Sequence, residues 1–216
     1  MQGWNEARAG GRAARTLLAD AERAAGKALA LNDKLALAHY AQGLIHRAKN
    51  ERQRALNSFS RAIDNDSGFA RAYAQRGSEL INDGKFNDAL KDINHAIQIG
   101  SDDPSAGMFH WGRGRAYFFK RDYAQAIEPL TEAVRLRPNL WHNWLYLVSA
   151  YAHTEASPYP TAKDWLNRFK TQSPFAGARF TIAKVISHEQ ANPTDNQDVR
   201  NGRDEFHKGL QLAGMK

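Results

Sequence analysis

The chain predicts an all-α fold, a row of antiparallel helix pairs stacked side by side. Three observations point there. A four-marker pattern returns at a near-constant period: Gly43, Ala55, Phe59, Ala62 recurs 34 residues on as Gly77, Ala89, Ile93, Ala96, and 37 further as Gly114, Ala126, Leu130, Ala133. Within each period the apolar residues fall on two 3.6-residue stripes separated by a polar break. No stretch sustains the period-two alternation of a half-buried strand, so no sheet is expected. A unit this short cannot bury its apolar face alone, and stacking on its neighbours supplies the core.

Taken in order, residues 1–33 read as a partial repeat. Ala21, Ala25 and Ala28 supply the second half of a unit that lacks a convincing first helix. Residues 34–69 form the first full unit. Leu37, Tyr40, Leu44 and Arg47 share one stripe, with His39, Gly43 and His46 on the next. After a polar break at 50–54, Ala55, Phe59, Ala62 and Ile63 make the second helix. Units 70–106 and 107–140 repeat this, with turn-forming residues at Asn82-Asp83-Gly84-Lys85 and Lys120-Arg121-Asp122-Tyr123. Asp33, Ser67 and Pro138 stand where second helices end, and Pro129 inside one of them is a candidate kink. Unit 141–174 carries Val148, Ala162, Leu166 and Phe169, offset by 34, 36, 36 and 36, so two residues are inserted around 155–160. Residues 175–216 read as C-terminal capping helices. Phe180, Ala183 and Ile186 mark one, a polar connector covers 190–198, and the last helix runs over 199–212.

These markers resemble the tetratricopeptide repeat (TPR), a 34-residue helix–turn–helix with small and large residues at set places. Arg121 to Ile127 and Ala133 to Pro138 match its closing markers, and Trp144, Leu147 and Tyr151 its opening ones. The resemblance covers roughly residues 17–174 and implies a right-handed superhelical solenoid. Gly43, Gly77 and Gly114, with Ala55, Ala89, Ala126 and Ala162, are then the small residues that let paired helices approach. Val148 in the glycine's place leaves the fourth pair less room. The ending Gly209-Leu210-Gln211-Leu212-Ala213-Gly214, and Asp102-Asp103-Pro104 ahead of the third unit, are also similar to the helical-repeat arms of bacterial class III adenylate/guanylate cyclases. That second resemblance implies a regulatory arm of a signalling protein.

The TPR resemblance implies a concave ligand groove lined by the first helix of each unit. It maps to Tyr40, Leu44 and Arg47, then Arg71, Ala74 and Ser78, then Trp111, Arg115, Phe118 and Phe119, and last His142, Leu145, Ser149 and His153. The third helix is informative by itself. His110, Gly114 and Tyr117 form one stripe, and Trp111, Arg115 and Phe118 another, rotated by one residue. Such a helix buries both faces or binds with one, and Trp and Arg are common interface anchors. Packing of Phe118 or Phe119 on the following repeat is the competing reading. Tyr40 and Leu44 stand where a clamp for chaperone C-terminal carboxylates needs Lys and Asn, which disfavours that partner class; the groove's arginines, histidines and aromatics suggest instead an acidic or aromatic-containing protein or peptide segment.

Catalytic signatures are missing. Gly112-Arg113-Gly114 follows no strand, and His188-Glu189 lacks a second histidine three residues on. His142 and His153 are eleven residues apart, about 16 Å along a helix, too far to share a metal. Zero cysteines exclude thiolate chemistry and disulfides. No enzyme activity, cofactor or metal is expected. No apolar run reaches the roughly 18 residues of a membrane helix, and Met1-Gln2-Gly3-Trp4 does not open a signal peptide, so a cytoplasmic protein is expected. The net charge of +7 raises single-stranded nucleic acid as an alternative ligand, but the basic excess is interrupted rather than striped. Self-association through the incomplete N-terminal unit is the other alternative.

Overall fold

The computed structural model describes residues 11–174, 181–190 and 196–215, with side chains from residue 16 onward except those of 188–190. The expected features at Met1 to Trp4, at Phe180 and at 191–195 of the connector lie outside the described residues. Among the described residues every regular element is helical and none is a strand. The chain divides into two compact units, Met1–Arg76 and Gly77–Lys216.

The first unit holds α1 (Gly11–Leu31), α2 (Ala36–Ala48), α3 (Arg52–Asn65) and the first half of α4 (Ala70–Asn82). The α1 helix is one continuous 21-residue element laid against α2. The α2 and α3 helices pair closely because Gly43 has no side chain: a Cβ there would sit against the Phe59 ring, 2.8 Å from Cζ. Phe59 is fully buried as a result. Ala62, Ile63 and Ala72 form a small core, ringed by Tyr40, Phe69 and Tyr73.

The second unit holds the rest of α4, then α5 (Phe86–Ile99), α6 (Ala106–Phe119), α7 (Tyr123–Leu136), α8 (Trp141–Thr154), α9 (Pro160–Thr171), α10 (Ile182–Gln190) and α11 (Gln197–Leu212). The glycine device recurs. A Cβ on Gly77 would come 2.6 Å from Ile93 Cγ1, and one on Gly114 2.5 Å from Leu130 Cγ. In each case the glycine lies sixteen residues before the large side chain that fills its place. The α8–α9 pair packs with Val148 and Leu166 both buried, so the fourth pair accommodates a branched residue. Pro129 is buried within α7, which continues through it to Leu136.

The turn inside each of the first three pairs is also one solution repeated. Asn50, Gly84 and Arg121 adopt left-handed backbone, with φ of 59°, 76° and 62°. The following amides, of Glu51, Lys85 and Asp122, reach back to the carbonyls of His46, Leu80 and Tyr117 at 2.9, 2.9 and 3.0 Å. This is the Schellman closure, which satisfies carbonyls left over at a helix end. Glycine suits that backbone best and asparagine tolerates it, whereas arginine carries strain there.

In the C-terminal segment α11 lies on α8 and reaches α6, the first helices of two successive pairs, with α10 packed on α11. The physical reason is the apolar surface those helices present. Phe118, Leu145 and Tyr146 need cover, and Val199, Phe206 and Leu210 of α11 provide it, all six being buried.

Candidate functional site

In the first unit, Tyr40 is half-buried, its ring tilted against Phe59 at 5.9 Å and Phe69 at 4.9 Å. Leu44 is half-buried beside it, and Arg47 is exposed and hydrogen-bonded to Gln75. Arg71 is exposed, with its guanidinium 5.6 Å from the Phe69 ring centre. Leu37, on the same stripe as Tyr40, is 58% exposed. These side chains form a partly apolar face carrying two accessible cations.

In the second unit the expected ligand stripe splits. Trp111 and His142 remain half-buried, with ring centres 4.7 Å apart. Arg115, Phe118 and Phe119 are buried within the unit and are not available to a guest, a correction to the reading of the sequence. The Arg115 guanidinium lies between the Trp111 and Phe119 rings, 5.3 and 5.2 Å from their centres, and donates to Asn82 Oδ1 at 2.5 Å. Burying a cation without such partners would be costly, so Arg115 serves the fold. Phe118 sits edge-on to Tyr123, Tyr146 and Phe206 at 5.0, 5.2 and 6.3 Å, in a cluster of the chain's own aromatics.

His153 is likewise engaged from within. Its imidazole stacks on Tyr123 at 4.3 Å, and Nε2 lies 2.7 Å from the Glu205 carbonyl oxygen of α11. Burial, together with the Glu205 carboxylate, pushes the Tyr123 phenol above its ordinary range.

The occupant of this face is α11, and its fit has two parts. One is close approach at glycines. A Cβ on Gly202 would run into the Phe119 ring, 2.6 Å from Cε1, and one on Gly209 would lie 2.9 Å from Ser149 Cα. Between them Phe206 stacks flat on Tyr146, with centres 4.0 Å apart and planes at 7°. The other part is backbone reading: the buried Ser149 hydroxyl donates to the Phe206 carbonyl at 3.0 Å, next to the His153 contact. At its start, Asn196 caps α11 by accepting from the Val199 amide at 3.1 Å and ties it down by donating to the Asp83 carbonyl at 3.0 Å.

Asn196, Gly202, Phe206 and Gly209 were not legible as site residues from the sequence. One signal was present. Glycine inside a helix is disfavoured by about 1 kcal/mol relative to alanine, so two of them seven apart on the apolar face of a polar helix announce close approach to something.

Residues 74–140 match the sequence profile of the tetratricopeptide repeat. Human tetratricopeptide repeat protein 13 is 32% identical over 114 residues, 53% of this chain; the chain spans only 13% of that protein's length. Among solved structures, PilF of Pseudomonas aeruginosa superposes with a TM-score of 0.66 at 21% identity, over 94% of this chain and 86% of its own. YrrB, described as a TPR protein with an unusual peptide-binding site, gives 0.61 at 20% identity, over 88% of this chain and 95% of its own. At these identities the structural likeness is one of fold. TPR proteins commonly mediate protein–protein interaction. Among the described residues, no helix is long and apolar enough to cross a membrane, and no group of three or more His, Cys, Asp or Glu side chains could hold a metal ion.

Proposed function

We propose that this protein is a non-enzymatic scaffold that holds a peptide or protein segment against the inner faces of its first helices. The carrying observation is the seating of α11: the α6 and α8 faces hold an amphipathic helix through aromatic contact and backbone hydrogen bonds. The peptide-binding site named for YrrB, a fold relative, supports the same reading. In the first unit the corresponding stripe is accessible, and Leu37, Tyr40, Arg47 and Arg71 suit a segment that alternates apolar or aromatic residues with acidic ones.

The test is retention of acidic–aromatic peptides by the full chain. Arg47→Glu with Arg71→Glu reverses two exposed charges and should reduce retention at least tenfold, with the circular dichroism unchanged. Equal retention by the double variant rejects this face as the site.

Self-association is a second reading with its own observation, since Leu17, Leu31, Leu35 and Leu37 of the first unit are 69%, 90%, 38% and 58% exposed. A mass that rises with concentration in light scattering, and stops rising on Leu31→Ser, would favour it.

A role as the regulatory arm of a signalling protein such as a nucleotide cyclase belongs to the same proposal. It rests on the motifs at Gly209 to Gly214 and Asp102 to Pro104 alone. Gly209 and Leu210 also have a packing reason, being buried against the repeat helices.

A further inference from the structure

We infer that α1 pairs with the α1 helix of a second copy of this chain, antiparallel and about a two-fold axis at Ala24. The inference rests on the self-association reading above and adds its surface, its direction and its contacts.

Two faces run along α1. Leu18, Glu22, Ala25 and Leu29 recur at steps of four, three and four and turn toward α2. Ala25 is buried there, and the Glu22 carboxylate pairs at 2.7 Å with Lys49, which caps the end of α2. Leu17, Ala21, Ala24, Ala28 and Leu31 keep the same rhythm one residue earlier, about 100° around the helix. Leu17 is 69% and Leu31 90% exposed; Ala21 and Ala24 are exposed and Ala28 half-buried.

The following pair of helices shows what such a face takes. Ala55, Ser58 and Ala62 of α3 stand 34 residues after Ala21, Ala24 and Ala28, and all three are buried in a helix that packs on α2. The equivalent face of α1 is largely open. What fits it is another helix, with small residues at the middle of the contact.

A second α1 has that form and matches at both ends. Antiparallel pairing sets Ala24 on Ala24 at the axis, Ala21 against Ala28 and Leu17 against Leu31, and under two-fold symmetry each contact is made twice. The alanines allow close approach, and the leucines seal the ends. Charge fixes the direction. Asp20 and Lys27 are both exposed and border the open face on the side away from α2, four residues before Ala24 and three after it. Asp20 bonds Arg23 of its own helix and still leaves its side chain 50% exposed. Antiparallel pairing brings Asp20 opposite Lys27 of the second copy, twice per dimer. Parallel pairing sets both beside the edge of Leu18 and Ala25, where neither meets an opposite charge.

The experiment uses the full chain, whose lack of cysteine makes single cysteine substitutions clean reporters. Ala24→Cys should cross-link into dimers on mild oxidation. Leu17→Cys alone should not, because its two copies lie about 21 Å apart at 1.5 Å per residue; mixed with Leu31→Cys it should. In sedimentation, Asp20→Lys or Lys27→Asp should weaken the dimer at least about fivefold, since two attractions become two repulsions. The double variant Asp20→Lys with Lys27→Asp should restore it. All of these positions are exposed, so the helical signal should stay unchanged. Efficient cross-linking of Leu17→Cys by itself overturns the inference in favour of a parallel pair. A mass that rises with concentration, without cross-linking of Ala24→Cys or any response to the charge variants, overturns it and leaves self-association to another surface. The mass of one chain at every concentration overturns both readings and leaves this face to a helix of a different protein.

Discussion

Ser149 on α8 donates its hydroxyl hydrogen to the carbonyl oxygen of Phe206 on α11, at 3.0 Å and across 57 residues of sequence. Both residues are buried, and the contact marks where the chain's last helix crosses α8. Ser149→Ala removes the donor and leaves little cavity, so urea unfolding should show a loss of about 1 kcal/mol. Phe206→Ala removes a stacked, fully buried ring and should cost roughly 3–5 kcal/mol. Near-equal losses in the two variants would show that the hydrogen bond, not the ring, holds α11.

Glycines in this chain divide by what stands opposite them. Gly114→Ala places a Cβ 2.5 Å from Leu130 Cγ, so overpacking of about 1–3 kcal/mol is expected. Gly26, in α1, has nothing within 4 Å of its Cβ position. Gly26→Ala should therefore stabilise by roughly 0.5–1 kcal/mol through helix propensity. Urea midpoints moving in opposite directions check the pair.

The left-handed turn position permits a gain by substitution. Arg121 is exposed with φ of 62°, so Arg121→Gly should relieve backbone strain and raise stability by about 1 kcal/mol. Gly84→Ala at the equivalent place should destabilise twice over. It takes on the φ of 76°, and its Cβ meets the Asn196 amide at 2.5 Å. Thermal melts of the two variants should shift apart.

His110 on α6 gives the acid response a sign. Burial, and then the Arg113 charge, hold its imidazole below the ordinary value of about 6.5. As pH falls through about 6.5 the unfolded chain takes up a proton that the folded chain refuses, so stability drops until the folded imidazole titrates as well. Above that pH the residue adds no slope. His110→Gln should flatten this part of the profile relative to the unaltered chain, measured as urea midpoints from about pH 7.5 to 5. An unaltered slope would mean that other groups set it.

Helix pairing was legible because it is local. The relation of Gly43 to Phe59, Gly77 to Ile93 and Gly114 to Leu130 spans sixteen residues within one hairpin, and a hairpin's packing depends on little beyond its own two stripes. The ligand stripe was legible only as a direction on the helix surface. Trp111, Arg115 and Phe118 do share a face, but whether a face meets solvent, a guest or the chain itself is not a local property. Arg115 looked like an anchor and is instead held by Asn82, Trp111 and Phe119.

By itself, then, the order of residues determined that the chain forms helices, where they break, and which small residue meets which large one. These follow from periodicity, turn chemistry and volume over a few tens of residues. Tertiary structure alone decided that α11 folds back over α6 and α8. That contact joins Ser149 to Phe206, and its two glycines acquire meaning only when Phe119 and Ser149 stand opposite. The physical reason is that side-chain complementarity between distant segments leaves no period in the sequence; it exists only once both surfaces are in place.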